Sequence, residues 1–362
     1  MFRGMIAVSI LGLTVLLSAC GGGSAMYRQD AAHSGKSESA GPEQLHRLVW
    51  KFSAPDKIYS SPIVAGDSVY IGCKDGYLYV LDLERGHVKW KFQTGGNIEA
   101  SVAVAGNTVF VGSWDGFMYA IDKDSHQLKW KFRTGGMAYS SPVVADGVVY
   151  FGSEDKHLYA VDVKTGYEKW RFNAKSGVYT SPALQEENVY IGTLDGNLIA
   201  VNKRTGQEQW TFATRQRVYS SPSLNRTTVF FGSDDKHMHA INVKTGQEIW
   251  KKKTAGNIFS SPAVNEKAVM FGSADSYIYA YDTKTGARHW EYKTEGAIFS
   301  SPVITENTMY IGSTDGYLYA MNIANGNERW KYESGDKIYS SPTIADGKVI
   351  FNTVKGEVFA VE

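Results

Sequence analysis

The chain has 362 residues, of which 43% are apolar and 21% charged, so its composition is that of a globular protein rather than a disordered or multi-span membrane protein. Its 38 basic and 37 acidic side chains give a formal net charge of +1, which removes the main electrostatic argument for nucleic-acid binding. The two cysteines, Cys20 and Cys73, are far apart and form neither a disulfide framework nor a CxxC redox or metal pair.

Residues 1–19 have the features of a bacterial secretion signal. Arg3 precedes an apolar run from Met5 to Leu17, which is shorter than the roughly 20 residues of a membrane-spanning helix. The run ends in Leu17-Ser18-Ala19-Cys20, which resembles the lipobox of bacterial lipoproteins. This resemblance implies cleavage before Cys20 and acylation of Cys20 by diacylglycerol and palmitate. An ordinary signal peptide cut near Ala19 is the alternative.

The residues that follow are predicted to form a lipid-anchored flexible tether over 20–46, because Gly21-Gly22-Gly23-Ser24 opens a polar stretch. In the lipoprotein sorting rule that the motif implies, Gly21 in place of Asp after the cysteine favours the outer membrane. The expected location is therefore the outer membrane, facing the periplasm.

Residues 47–362 contain a 40-residue unit that recurs eight times without insertion. Short β-rich runs such as Val148–Phe151 and His157–Val161 alternate with Asp-Gly and Thr-Gly turns, which predicts four strands per unit. Four strands in 40 residues indicate an all-β, eight-bladed β-propeller with four antiparallel strands per blade. The repeat is marked by one tryptophan column: Trp50, Trp90, Trp130, Trp170, Trp210, Trp250, Trp290 and Trp330.

Strand order predicts how the ring closes. If the strands of a blade are lettered A to D from the axis outward, strand A is expected from Ile58-Tyr59 in the first repeat to Ile338-Tyr339 in the last. The last repeat stops after strand C, Glu357–Val361, and the missing strand D is the N-terminal segment Leu48–Phe52. We therefore expect the N-terminal strand to pair with the C-terminal blade, which makes 47–362 one domain without free sheet edges.

The repeats resemble the quinoprotein-like, or PQQ-type, propeller family. Residues 160–170 match its AxDxxTGxxxW motif, and Ala280 to Trp290 match it again. In that family the tryptophan packs between blades over a Thr-Gly turn, which implies a structural role for the motif here. The segment Arg28–Gly35 also resembles the lead-in of secreted members.

Catalysis is not predicted. The dehydrogenases of this family are longer, with an adjacent Cys-Cys disulfide over the quinone and a calcium site of Glu, Asn and Asp. This chain has neither insertions nor adjacent cysteines, so we predict no catalytic residues, no cofactor and no metal. His237 and His239 alternate on one strand and could chelate a metal, but their columns elsewhere hold aromatic residues, which favours packing. The recurring aspartates, such as Asp155, are interpreted as turn residues, and Cys73 as a buried core residue.

Departures from the repeat mark the candidate functional surface. Blade two has Glu99-Ala100-Ser101-Val102 where other blades read as Tyr59-Ser60-Ser61-Pro62, and its B–C turn carries Trp114, the one tryptophan outside the column. Up-and-down threading places B–C turns and D–A loops on one face. An aromatic residue among Met and Arg is typical of protein-binding surfaces, and drift at exposed loops is the alternative. The candidate partner-binding residues are Glu99, Trp114, Met137, Leu194, Arg215 and Arg217, with Lys57, Lys175 and Lys337 beside them.

The function that these features predict is a non-catalytic lipoprotein scaffold at the outer membrane, monomeric within a complex. It resembles the BamB family of propeller lipoproteins, which implies protein partners in the β-barrel assembly machinery and a role in inserting outer-membrane proteins. A PQQ-dependent dehydrogenase and a surface ligand-sensing or adhesion lipoprotein are the alternatives.

Overall fold

Thirty-two strands form eight four-stranded antiparallel sheets in the computed structural model, which describes residues 24–362. No helix in that range is long and apolar enough to cross a membrane. The predicted signal peptide and Cys20 lie outside the described residues. The strands are β1 (Leu48–Ser53), β2 (Ile63–Ala65), β3 (Ser68–Gly72), β4 (Tyr77–Asp82), β5 (Val88–Gln93), β6 (Ala103–Ala105), β7 (Thr108–Gly112), β8 (Phe117–Asp122), β9 (Leu128–Arg133), β10 (Val143–Ala145), β11 (Val148–Gly152), β12 (His157–Asp162), β13 (Glu168–Asn173), β14 (Ala183–Gln185), β15 (Asn188–Gly192), β16 (Asn197–Asn202), β17 (Glu208–Ala213), β18 (Ser223–Leu224), β19 (Thr228–Gly232), β20 (His237–Asn242), β21 (Glu248–Lys253), β22 (Ala263–Val264), β23 (Ala268–Gly272), β24 (Tyr277–Asp282), β25 (Arg288–Lys293), β26 (Val303–Ile304), β27 (Thr308–Gly312), β28 (Tyr317–Asn322), β29 (Glu328–Glu333), β30 (Thr343–Ala345), β31 (Lys348–Asn352) and β32 (Glu357–Val361).

Burial within a blade increases from the outer strand to the middle strands. In blade three, strand B (β11) is buried along its whole length, whereas the outermost strand D (β13) alternates half-buried and exposed residues. The A–B hairpin turns at Asp146-Gly147, where both residues have positive φ, as a two-residue type I′ hairpin requires. The predicted eight-bladed, all-β propeller is therefore confirmed.

The ring closes through the two ends of the propeller. Strand β1 pairs antiparallel with β32, so blade eight has the order β1-β32-β31-β30 and combines N-terminal and C-terminal strands. The register places Lys51 opposite Phe359 and Phe52 opposite Val358. The prediction that Leu48–Phe52 supplies the missing strand D is confirmed.

The predicted position of strand A is wrong, because the strand begins about five residues later in the chain. In blade one it covers Ile63–Ala65 rather than Ile58-Tyr59. The physical reason is visible in the next repeat, where the Ile98 N–H donates to the Cys73 carbonyl of the preceding blade and is unavailable for a hairpin. The segment before each strand A thus connects neighbouring blades.

The tryptophan column also connects blades, as predicted. The Trp130 indole N–H donates to the Val163 carbonyl in the next blade at 3.0 Å. Gly166, in the Thr-Gly turn, lies under the ring, where an added Cβ would be 2.7 Å from Trp130. The large aromatic ring therefore fills the space between adjacent sheets.

The expectation of a flexible tether is wrong for residues 24–46, which pack on the propeller face that carries the A–B turns. Ala25 exchanges two backbone hydrogen bonds with Val104 in strand A of blade two. Further backbone N–H groups of the inner strands donate to this segment: Leu184 to Ala31, Leu224 to Ala32, Val264 to Ser34 and Ile304 to Gly35. Polar composition suggested a tether, but inner strands present unpaired N–H groups that this segment satisfies.

Candidate functional site

The central channel is lined by a closed circle of serines. Each backbone N–H donates to the hydroxyl of the serine 40 residues further along, and Ser341 donates to Ser61 to complete the circle, with distances of 2.9–3.2 Å. We call these residues the serine ring: Ser61, Ser101, Ser141, Ser181, Ser221, Ser261, Ser301 and Ser341. Because each Oγ accepts a backbone N–H, its own proton remains available for the channel.

A second ring lies at the channel mouth. It contains seven aromatic side chains and one carboxylate, Glu99. Neighbouring aromatic rings contact one another around the axis. The ring centroids of Tyr139 and Tyr179, for example, are 4.6 Å apart, and those of Phe299 and Tyr339 are 5.0 Å apart. The aromatic residues of this mouth ring are Tyr59, Tyr139, Tyr179, Tyr219, Phe259, Phe299 and Tyr339. Glu99 is therefore the one position of this ring, among the described residues, that is not aromatic.

The other end of the channel is closed by the N-terminal segment. Tyr27 places its hydroxyl 3.1 Å from Ser301, and the buried Arg28 guanidinium donates to the carbonyls of Pro262, at 2.6 Å, and Pro302. Burial lowers the pKa of Arg28 to about 10, although it remains charged at neutral pH. The result is a blind cavity of about 180 Å³ that opens on the face of the B–C turns.

Glu99 belongs to a compact cluster at the cavity mouth. Its side chain is only 9% exposed, and the Lys74 Nζ lies 3.5 Å from its carboxylate. The same Nζ lies 5.5 Å from the ring centroids of both Tyr59 and Trp114. Burial raises the pKa of Glu99, an effect that the Lys74 charge partly offsets. The buried indole N–H of Trp114 has no hydrogen-bond partner among the described residues.

The other sequence-predicted residues lie on the same face as this cluster, as threading required. Backbone bonds from each B–C turn to the preceding D–A loop establish this: Glu154 donates to Met137, Leu194 to Gly177 and Asp234 to Arg217. The six candidates follow four consecutive blades, two to five, and we call this set the blade 2–5 arc. Its members are Glu99, Trp114, Met137 and Leu194, which are half-buried, and Arg215 and Arg217, which are exposed.

Sequence reasoning missed Lys74, Tyr27 and Arg28, as well as the mouth ring as a unit. The signal for the mouth ring was present, because an aromatic residue precedes Ser-Ser-Pro in most repeats, just before the innermost strand. Tyr27 and Arg28 occur outside the repeats, and the resemblance of Arg28–Gly35 to a lead-in segment did not indicate a position in the channel.

Of the two histidines, His239 has the packing role that its aromatic column favoured, whereas His237 is half-buried. His239 is buried and stacks on Phe231 at 5.1 Å, with Nε2 2.9 Å from Asp235 and Nδ1 3.3 Å from Glu248. Within residues 24–362, no group of three His, Cys, Asp or Glu side chains is arranged to hold a metal ion. In the other blades the equivalent aspartate serves the turn: Asp155 accepts the His157 N–H and the Tyr159 hydroxyl.

The described residues do not fit the anionic quinone of the dehydrogenases in this family. The mouth ring presents the Glu99 carboxylate and the electron-rich faces of aromatic rings, which repel carboxylate groups. Cys73 is buried and free, and burial raises the pKa of its thiol to about 12. We therefore derive no step through a quinone.

Two family models match parts of the chain. The model described as outer membrane protein assembly factor BamB matches residues 44–101 and 90–218, and that of the beta-propeller of the beta-alanine-activating enzyme matches residues 185–362. A comparison with curated proteins finds no match.

Solved structures share the architecture at low identity. BamB from Moraxella catarrhalis is 16% identical, with 87% of this chain and 99% of that chain covered and a TM-score of 0.76. The quinohemoprotein alcohol dehydrogenase from Comamonas testosteroni is 14% identical, with 93% and 80% covered and a TM-score of 0.82. The computationally designed Ika8 protein is 17% identical, with 87% and 99% covered and a TM-score of 0.79. At these identities the likeness establishes the fold alone.

Proposed function

We propose that this chain, a PQQ-like β-propeller that resembles the outer membrane protein assembly factor BamB, is a non-catalytic lipoprotein scaffold that assists the assembly of β-barrel outer-membrane proteins. The observation that carries the proposal is the blade 2–5 arc. It places Trp114, Met137 and two exposed arginines on one face of an otherwise regular wheel. Aromatic, Met and Arg side chains are enriched where proteins bind one another.

The two faces of the wheel are suited to different tasks. The N-terminal segment covers the centre of the A–B face, whereas the channel mouth and the arc remain open on the other. Ala25 is five positions after Cys20, and five residue-to-residue steps span at most about 18 Å. A lipid on Cys20 would therefore hold the A–B face near the membrane and direct the arc toward the periplasm.

A non-catalytic role is supported by the chemistry of the described residues. The channel combines serine hydroxyls with aromatic rings and the Glu99 carboxylate, which is paired with Lys74 at the channel mouth. Among residues 24–362, neither a nucleophile with an adjacent base nor a metal-ligand cluster lies in this cavity. The tryptophan and glycine residues that recur in the 40-residue repeats pack neighbouring blades together.

The test is site-specific photo-crosslinking of the full-length protein in its own envelope. A photoreactive residue at Arg217 samples the arc, and the same residue at the exposed Arg226 samples the opposite face of the same blade. We expect adducts with the β-barrel insertion machinery from position 217 and none from position 226. Equal adducts at both positions, or none at 217, would contradict the proposal.

A second test removes the departures in blade two. The double variant Trp114→Ala with Glu99→Tyr is expected to reduce recovery of the partner in detergent co-purification without unfolding the propeller, as checked by circular dichroism. Unchanged recovery would remove blade two from the interface.

The dehydrogenase alternative is favoured by the fold likeness to quinohemoprotein alcohol dehydrogenase. It predicts a visible-range absorbance change after PQQ and calcium are added to the purified protein, together with alcohol oxidation. The scaffold proposal predicts neither.

A further inference from the structure

The cluster around Glu99 in the mouth ring has the composition of a cation site. A carboxylate and three aromatic rings converge there: Glu99, Tyr59, Trp114 and Tyr139. Negative charge and the negative faces of aromatic rings both attract ammonium groups, and aromatic cages use this attraction to bind organic amines.

The cluster already contains one cation of the same chain, the Lys74 ammonium group, but its distance from the Glu99 carboxylate is long. The Lys74 Nζ is 3.5 Å from the Glu99 carboxylate, beyond the 2.7–2.9 Å typical of a charge-assisted hydrogen bond. The Lys74 side chain is 28% exposed, on a flexible four-carbon stem that can turn toward solvent. Glu99 is thus a buried carboxylate whose partner is easily displaced.

We propose that this cluster is a binding site for the ammonium group of a small organic amine, which displaces Lys74 and pairs with Glu99 against Tyr59 and Trp114. The proposal goes beyond the scaffold function, because it concerns a small ligand at the channel mouth, although Glu99 and Trp114 also belong to the blade 2–5 arc.

The surrounding cavity suits such a ligand. Its volume of about 180 Å³ accommodates an amine of several carbon atoms, with aromatic walls for the alkyl part. The serine ring at its base offers hydroxyl groups for a polar group at the other end of the ligand. The Trp114 indole N–H, which is buried and has no partner among residues 24–362, is a further donor in the same cluster. We therefore expect amines that also carry a hydroxyl or carbonyl group to bind more tightly than simple alkylamines.

The experiment uses n-butylammonium chloride, which reproduces the lysine side chain, with sodium chloride at equal ionic strength as the reference. Binding is followed by the indole ¹⁵N–¹H resonance of Trp114 in the intact propeller, assigned with Trp114→Phe. We expect saturable binding to the unmodified protein, about tenfold tighter binding to Lys74→Ala and about tenfold weaker binding to Glu99→Gln. Titrations are carried out at pH 8, because burial raises the pKa of Glu99 and Lys74→Ala removes the charge that partly offsets this effect.

Glu154 provides the matched control. Its carboxylate lies on the same face and accepts a hydrogen bond from the mouth-ring residue Tyr179 at 3.3 Å, but Glu154 is exposed. Glu154→Gln should bind butylammonium as the unmodified protein does. Three results would overturn the proposal: no binding to the unmodified protein, binding only to Lys74→Ala, or undiminished binding to Glu99→Gln.

Discussion

The indole N–H of Trp330 donates to the backbone carbonyl of Pro42 at 2.9 Å, although the two residues are 288 positions apart. Six other tryptophans of the column donate to a C–D loop 33 residues further along, as Trp210 does to Val243 at 3.1 Å. Blade eight has its strand D from the N-terminus and no such loop, so the segment before β1 supplies the acceptor. Closure of the ring therefore depends on Pro42 as well as on the β1–β32 pairing.

Trp330→Phe is expected to lower the free energy of unfolding by about 1 kcal/mol, because an aromatic ring remains between the blades while one partly buried hydrogen bond is lost. Trp210→Phe, which loses the equivalent bond inside the ring, should cost the same amount. Urea denaturation measures both. A loss for Trp210→Phe alone would show that the Pro42 contact does not contribute to closure.

Arg28→Met should destabilise the protein by about 2 kcal/mol, because it removes a buried guanidinium and leaves the Pro302 carbonyl without a donor, whereas the Pro262 carbonyl still accepts from the Ser223 hydroxyl. Arg215→Met, at an exposed arginine, is the control and should change little. The amides of Leu224, Val264 and Ile304 should also exchange faster with deuterium in Arg28→Met. Equally fast exchange of these amides in the unmodified protein would mean that the N-terminal segment does not stay bound.

The repeats explain which features could be predicted. The blade number, the closure by β1 and the face of the blade 2–5 arc all follow from the 40-residue period and from the order of strands and turns within one repeat. Strand A was misplaced because the Ile98 N–H bonds to Cys73 in another blade, a partner that local patterns do not reveal. The docking of residues 24–46 was missed because that segment forms hydrogen bonds with six different blades and has no period of its own.

Glu99 shows the same limit within the candidate site. It was identified because it departs from an aromatic column, but its partner Lys74 occupies a turn position at which residue type varies from repeat to repeat. Their proximity depends on how blades one and two meet, which is a tertiary property.

His33 should make stability depend on pH. Its ring is fully buried, and burial together with the Arg28 charge lowers its pKa to about 3. An unfolded histidine titrates near 6.5, so between these values the unfolded chain binds a proton that the folded protein does not. The stabilising contribution is complete above about pH 6.5 and decreases as the pH falls, by about 2 kcal/mol at pH 5.

The variants His33→Phe and His46→Gln isolate this effect. His33→Phe should lose about 2 kcal/mol less than the unmodified protein between pH 7 and pH 5, whereas His46→Gln, at an exposed histidine, should follow the unmodified protein. Urea denaturation at both pH values gives the difference. Parallel losses in His33→Phe and the unmodified protein would show that His33 is protonated in the fold.

Alanine variants of two glycines in blade three allow the cost of backbone strain to be distinguished from the cost of disturbed packing between blades. Gly147 and Gly166 have φ of 74° and 72°, so alanine at either position costs about 1–2 kcal/mol of left-handed strain. No atom lies within 4 Å of a Cβ added at Gly147, whereas at Gly166 the Cβ would be 2.7 Å from Trp130. Gly166→Ala should therefore cost about 2 kcal/mol more than Gly147→Ala, because the indole must move away from the neighbouring blade. Equal losses in urea denaturation would mean that Trp130 can shift freely, and the tryptophan column would then contribute area rather than close packing to the contacts between blades.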